Sequence, residues 1–298
     1  MKALHKALIF FGLLFTASCT EDIIIDVEEG KPMIGVEAYF TNELKQHETI
    51  LSYSADFYNN SEIQMISGAT VFVTDGVDTI QYFESPENKG HYFTDMVAGK
   101  KNTSYRLCIA IPEVDSETTQ IFAESFLPDN VNCIDSLVIK PFNGNNDTIP
   151  TILFGDTIEW VYPYFMSLPD PNITYMPLIF KNDTLINDSI TQQSLVTVSG
   201  YAGYYINGPE MQASNKEIPV YLFKKKDLKD GDRIRLDMRS IQPEYMLFLY
   251  SLIMSSGSNP MMGAPANVNT NIQPSGKGVG WFLTASSVSV ETVFHDKK

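Results

Sequence analysis

Residues 68 to 85, GATVFVTDGVDTIQYFES, decide the fold. Two β-rich runs flank Asp75-Gly76, a pair that tolerates the positive φ of a tight turn, so the stretch reads as a hairpin. Working upstream, IGVEAYF (34–40) alternates Ile34, Val36, Ala38 and Phe40 onto one face. ILSYSADFY (50–58) repeats the period with Leu51, Tyr53, Ala55 and Phe57. A period of two is the signature of a strand with one buried face. Downstream, GHYFTDM (90–96), TSYRLCIAI (103–111) and TQIFAESFL (119–127) add three more strands. Seven short strands separated by turns predict a β-sandwich over residues 32–130.

The order of these strands resembles the transthyretin-like and Ig-like sandwiches, with GATVFV, GHYF and SYRLCI at corresponding places. PDNVNC (128–133) interrupts the pattern and marks an expected boundary. Beyond it, CIDSLVIKPF, IPTILFG, DTIEWVYPYFMSL, ITYMPLIFKNDTLI, SLVTVSGYAGYYI, EIPVYLF and DRIRLDMRSI are again β-rich. They predict a second, β-rich domain over residues 131–298. It holds one helix near 243–256, introduced by Pro243 and Glu244 and stopped before Gly257. That segment is apolar nearly all round, so it is expected to pack against the second sheet. The chain closes on a strand-rich tail, VGWFLTASSVSVETVF (279–294).

The N-terminus sets the address. Lys2 and Lys6 precede the apolar run ALIFFGLLF (7–15), and Thr16, Ala17 and Ser18 lead to Cys19. This is the layout of a signal peptide, residues 1–18, too short to span a bilayer. The small residues ending in Cys19 resemble the lipobox of bacterial lipoproteins, with Thr16 where that motif usually has Leu. The resemblance implies acylation of Cys19 by palmitate-type chains and a polar tether over residues 19–31. Two or three such chains hold a protein on a membrane stably. Glu21 and Asp22 also resemble the surface-export signal of Bacteroidota lipoproteins.

The net charge of −15, made two charges more negative by loss of Lys2 and Lys6, argues against nucleic acid or an anionic lipid surface as partner. The one basic cluster, KKK (224–226), is followed by Asp227, Asp230 and Asp232 and reads as a solvated turn. Those three acids lack the spacing of a calcium loop and read as a hairpin turn. After Cys19, only Cys108 and Cys133 remain, 25 residues apart. In an exported protein they form either a disulfide, stabilising by about 3 kcal/mol, or two separately buried thiols.

No catalytic constellation emerges. With His47, His91 and His295 the only histidines past the leader, and no Cys-x-x-Cys, neither a metal nor a cofactor is expected. A serine nucleophile elbow is missing, and GKGVG (276–280) opens no helix that could cradle phosphate. Aromatics stand out instead: Trp160, Tyr162 and Tyr164 alternate along one strand, and Tyr204 and Tyr205 follow in GYAGYY. They serve either the core or a surface that recognises a glycan, peptide or protein partner. An Asp-Ser/Thr-aliphatic triplet at Thr79, Ser136, Thr148, Thr157, Thr184 and Ser189 resembles the O-glycosylation acceptor of exported Bacteroidota proteins. Locally, each also reads as a turn handing over to a strand.

The ending NVNTNIQPSGKGVGWFLTASS (267–287), taken with the leader, the sandwich and the late helix, resembles domain-of-unknown-function family 4249, outer-membrane lipoproteins of Bacteroidota. Asn267, Asn269, Asn271, Ile272, Gly278, Gly280 and Phe282 carry that likeness. It implies a non-catalytic accessory subunit beside a TonB-dependent transporter in nutrient uptake. A surface hydrolase acting on glycans or peptides, and an adhesin or pilus-like subunit, are the other readings. By themselves the asparagines and glycines read as turn residues.

Overall fold

The computed structural model describes residues 32–54, 63–112, 119–129, 134–141, 158–165, 174–187, 220–256 and 268–296. The leader and Cys19 lie outside them. Seven strands fill the first part of the described chain: β1 (Ile34–Thr41), β2 (Glu48–Tyr53), β3 (Thr70–Thr74), β4 (Thr79–Glu84), β5 (His91–Thr94), β6 (Thr103–Ile111) and β7 (Thr119–Leu127). The alternation is realised: Ile34, Val36, Ala38 and Phe40 are buried, as are Leu51, Val71, Val73, Leu107, Ile109 and Ile121. Ala55 and Phe57 lie outside the described residues.

The hairpin between β3 and β4 closes differently from a two-residue turn. Thr74 pairs with Thr79, leaving four residues in the loop. Only Gly76 adopts positive φ, at 87°. Asp75 works through its carboxylate, which accepts from the Asp78 and Val77 amides at 2.7 and 2.9 Å and from Lys100 Nζ at 2.9 Å. Those donors hold its carboxyl well below the ordinary range, the Asp78 amide most of all.

The later elements are β8 (Ile134–Pro141), β9 (Ile158–Phe165), β10 (Thr174–Lys181), β11 (Thr184–Leu185), β12 (Tyr221–Lys224), β13 (Arg233–Ile241), α1 (Glu244–Ser256), β14 (Ile272–Gln273) and β15 (Gly278–Val293). Twelve strands form one ladder in the order β11-β10-β13-β15-β1-β2-β5-β4-β3-β6-β7-β14, and β12-β9-β8 form a second sheet. The chain is mostly β, with one α-helix among the described residues. Strands from both sides of residue 130 share the large sheet, and from Pro32 onward the chain forms one compact unit.

The sixteen-residue β15 explains that continuity. Its first half, Gly278 to Ala285, runs parallel to β1, and its second half, Ser286 to Val293, runs antiparallel to β13 on the opposite edge. Each half therefore exposes one edge of unpaired backbone groups, which must find partners. Side chains supply them. Thr270 Oγ1 donates to the Gly280 carbonyl at 2.8 Å, and Ser125 Oγ accepts from the Thr284 amide at 3.0 Å. Asn271 Oδ1 accepts from the Phe282 amide at 3.0 Å, while its Nδ2 donates to the carbonyls of Phe282 (2.9 Å) and Glu124 (3.2 Å). On the other edge, Asn42 accepts from the Ser287 amide at 2.6 Å. Asn271 and Ser125 also bring β7 back alongside β15, so the ladder from β15 to β7 curls upon itself. The two layers expected of a sandwich are joined into one curved sheet.

The cores follow the two halves of β15. One cluster gathers the inward residues of β1 to β7 with Ile272 and Phe282. A second collects Val161, Tyr175, Ile179, Phe223, Ile234, Leu236 and Phe294 from the strands after residue 130. A third lies on the outer face of the large sheet, where Tyr245, Met246 and Leu249 of α1 meet Met176, Ile241, Leu283 and Ala285. The helix thus covers the central strands shared by both halves rather than the second sheet alone, and leaves Leu247 exposed. Its mostly apolar sequence matches this placement only in part.

Two polar details add to or correct the sequence reading. The basic cluster lies in a turn with no buried residue, as expected, but Lys225 is also ion-paired: it reaches buried Glu159 at 3.4 Å and Asp296 at 2.6 Å, while Lys226 stays exposed. Asp232, at the turn before β13, accepts from Asn182 Nδ2 and the Lys229 amide, both at 2.8 Å. The turn it braces is not the hairpin expected, because β12 and β13, on either side of it, belong to different sheets.

His47 yields a pH prediction. It is 2% exposed, packs its ring 4.6 Å from that of Phe40, and places Nε2 2.9 Å from the Val97 carbonyl. A neutral ring satisfies that carbonyl, and burial pushes the pKa down from 6.5 to about 4. Between these two values the unfolded chain takes up a proton that the folded chain refuses. This contribution to stability is complete above pH 6.5, falls by about 3 kcal/mol as pH drops to about 4, and is flat below. Urea denaturation across that window should show the slope, and His47→Gln should remove most of it.

Candidate functional site

Most of the sequence-predicted positions do not converge. On β9, Glu159 and Val161 are buried, and Trp160, Tyr162 and Tyr164 occupy the alternate positions. Tyr164 is 40% exposed, and Val138, opposite Tyr162 on β8, is 36% exposed. Tyr204 and Tyr205 lie outside the described residues. Cys108 carries a free, half-buried thiol on β6, facing away from the core, with its pKa raised by that burial; Cys133 lies outside the described residues. Of the triplet hydroxyls, Thr79, Ser136 and Thr184 are exposed, the first and last directly after hairpin turns. Thr148, Thr157 and Ser189 lie outside the described residues.

A different set of residues does converge. Between α1 and the outer face of β1, β2 and β15 runs an open groove of about 440 Å³. That volume is within the range of small-molecule sites. Its floor is low because Gly35 has no side chain; a Cβ there would stand 2.7 Å from Ser52 Oγ. Tyr39 and Trp281 rise from the floor, Ile50 from one side, and Tyr245, Phe248 and Leu252 from the helix. Alternation explains the sheet residues: Glu37, Tyr39, Ile50, Ser52 and Trp281 are the outward positions of strands whose inward positions fill the core.

The aromatic rings form a connected group. Trp281 lies 5.9 Å from Tyr245 at 62° and 5.4 Å from Phe248, distances at which edge and offset ring packing are favourable. The Tyr39 and Tyr245 hydroxyls approach to 3.4 Å. Burial raises the pKa of both tyrosines, and the charge of Glu37 raises Tyr39 further, so both stay protonated. Glu37 is exposed and, among the described residues, is the sole carboxylate lining the groove. Among the described residues no lysine or arginine lines it; Arg239 of β13 exerts its field on Tyr39 and Tyr245 from outside. Chemically, the arrangement can stack, exclude water and present a single negative charge.

Sequence reasoning missed this group. Glu37 and Tyr39 were visible as the outward positions of a strand, and Trp281 as an outward aromatic in VGWFLT. Nothing local linked them to Tyr245, more than 200 residues further on than Tyr39.

The residues of the ending motif are now placed as well. Asn269 reaches back to α1, donating through Nδ2 to the Leu247 carbonyl at 3.2 Å. Gly280, with φ of 115°, sits where β15 presses against Val36. Gly278 lacks room for a Cβ, which would meet Ile272 at 2.5 Å. Asn267 lies outside the described residues.

A mostly β chain built on one large curved sheet, with the one α-helix of the described residues packed across its central strands, defines the class of protein. The chain belongs to the family described as domain of unknown function DUF4249, whose model matches residues 20–291. No curated protein is similar enough to match it.

Proposed function

We propose that this chain is a non-catalytic, lipid-anchored surface lipoprotein, a binding or assembly subunit beside a TonB-dependent transporter of a bacterial outer membrane. The observation that carries the reading is the run of small residues ending at Cys19, placed only a short polar stretch before the folded body at Pro32. Thirteen residues, 19 to 31, reach at most about 45 Å when extended, so acylation at Cys19 would hold the β body close to the membrane. The open aromatic groove supports recognition: its described residues offer stacking surfaces and one carboxylate.

Two measurements test the reading. Intact-mass analysis of native material should give a mature chain beginning at an acylated Cys19. Affinity purification from gently solubilised outer membranes should recover a TonB-dependent barrel with the tagged chain. A bare Cys19, or recovery of the chain alone, would overturn it.

A further inference from the structure

We propose that the groove between α1 and the large sheet binds a small organic cation: a ligand with a protonated amine beside an apolar body. The inference rests on the binding reading above and names the ligand class for that groove. Three observations carry it. Glu37 is exposed at the groove; among the described residues it is the one charged residue lining it, and no lysine, arginine or histidine forms an ion pair with it. Aromatic rings stand beside that carboxylate, and Trp281, Tyr39 and Phe248 are only partly buried, so the helix does not cover them completely. An ammonium group over an aromatic face is attracted by the ring quadrupole, and most strongly by tryptophan. Ile50 and Leu252 supply an apolar wall for the rest of the ligand. The chain's net charge of −15 draws cations toward the surface and repels anions.

A neutral sugar fits the same site less well. Sugar recognition asks for several hydrogen-bonding groups around the ring, and the described groove side chains offer one carboxylate, two tyrosine hydroxyls already directed at each other, and Ser52. An anionic ligand meets Glu37, with no cation among the described lining residues to offset it.

Titration calorimetry on the intact mature chain tests the proposal with four probes: phenethylammonium, its uncharged counterpart 2-phenylethanol, the anion phenylacetate, and the neutral oligosaccharide maltoheptaose. Phenethylammonium should bind one per chain, at least tenfold more tightly than 2-phenylethanol, and lose affinity as salt rises. Glu37→Gln should reduce its affinity at least tenfold, to that of the alcohol, while the thermal midpoint stays within a degree or two of the parent. Equal binding of ammonium and alcohol, an unchanged affinity in E37Q, or no binding of phenethylammonium would each overturn the inference. Maltoheptaose binding in its place would sink the cation while leaving the binding-subunit reading standing. That reading fails separately, if no transporter is recovered with the chain.

Discussion

Replacing Gly280 with alanine should be among the most damaging single changes in the described structure, lowering stability by about 3–5 kcal/mol. Two effects combine at this position. Its φ of 115° is a conformation that residues with a side chain rarely adopt. A Cβ there would also be driven into the backbone of Val36, at the point where β1 and β15 run parallel. Backbone on the facing strand cannot swing aside as a flexible side chain could. Against a typical total of about 5–15 kcal/mol, the loss removes a large share of the stability. Gly276 is the control: it has φ of 80° but open space where a Cβ would go. Gly276→Ala should cost about 1 kcal/mol, and urea denaturation of both variants separates strain from collision. If G280A unfolds no more easily than G276A, the tight seam between β1 and β15 is not the reason for the glycine.

Removing the Asn271 side chain should have the second largest effect. The carboxamide satisfies three backbone groups: the amide and carbonyl of Phe282 and the carbonyl of Glu124. Phe282 is fully buried, so its backbone polar groups have poor access to replacement water. Asn271→Ala is expected to cost about 2–3 kcal/mol, the sum of lost hydrogen bonds and backbone groups left without partners. Asn271→Asp should be no better than alanine, because a carboxylate keeps the acceptor but turns negative oxygen toward two carbonyls. Hydrogen exchange gives the local readout: the Phe282 amide should lose protection in N271A even under conditions where the molecule as a whole remains folded. Retained protection at Phe282 would show that β7 and β15 are held together by packing alone.

Both predictions turn on residues whose ordinary reading was modest. In the sequence, Asn269, Asn271, Gly278 and Gly280 look like turn formers, and their family likeness says only that they belong to the ending motif. In the fold, Gly276 does form a turn, with positive φ. Asn271 instead stands in for a strand, offering one acceptor and two donors to an edge that no backbone covers. Gly278 and Gly280 are there for close approach. A single asparagine looks the same in either role, because the distinction depends on what lies across from it.

The candidate groove shows the same limit. Strand alternation already places Glu37, Tyr39 and Trp281 on outward positions, and the apolar helix is legible from Pro243 to Ser256. Which outward face the helix covers is not. Its sequence is apolar on too many sides to choose, and the covering contacts come from β1, β10, β13 and β15, separated by up to about 250 residues of chain. The aromatics that alternate along β9 attracted more attention in the sequence, and the described structure gathers a different set.

The sequence by itself determined most strands of the described residues, their inward faces, a hairpin around Asp75-Gly76 though not its four-residue loop, and the helix, since each follows from the period of a few neighbouring residues and from local turn chemistry. The strands read at 149–155 and 194–206 lie outside the described residues. Only the tertiary structure decided that β15 leaves β1 for β13 halfway along its length, that asparagine, serine and threonine side chains close the edges this exchange exposes, and that a groove opens beside α1. The physical reason is that a strand carries hydrogen-bonding groups on two edges and side chains on two faces. Its sequence reports which face is buried, but carries no local mark of which partner will occupy either edge.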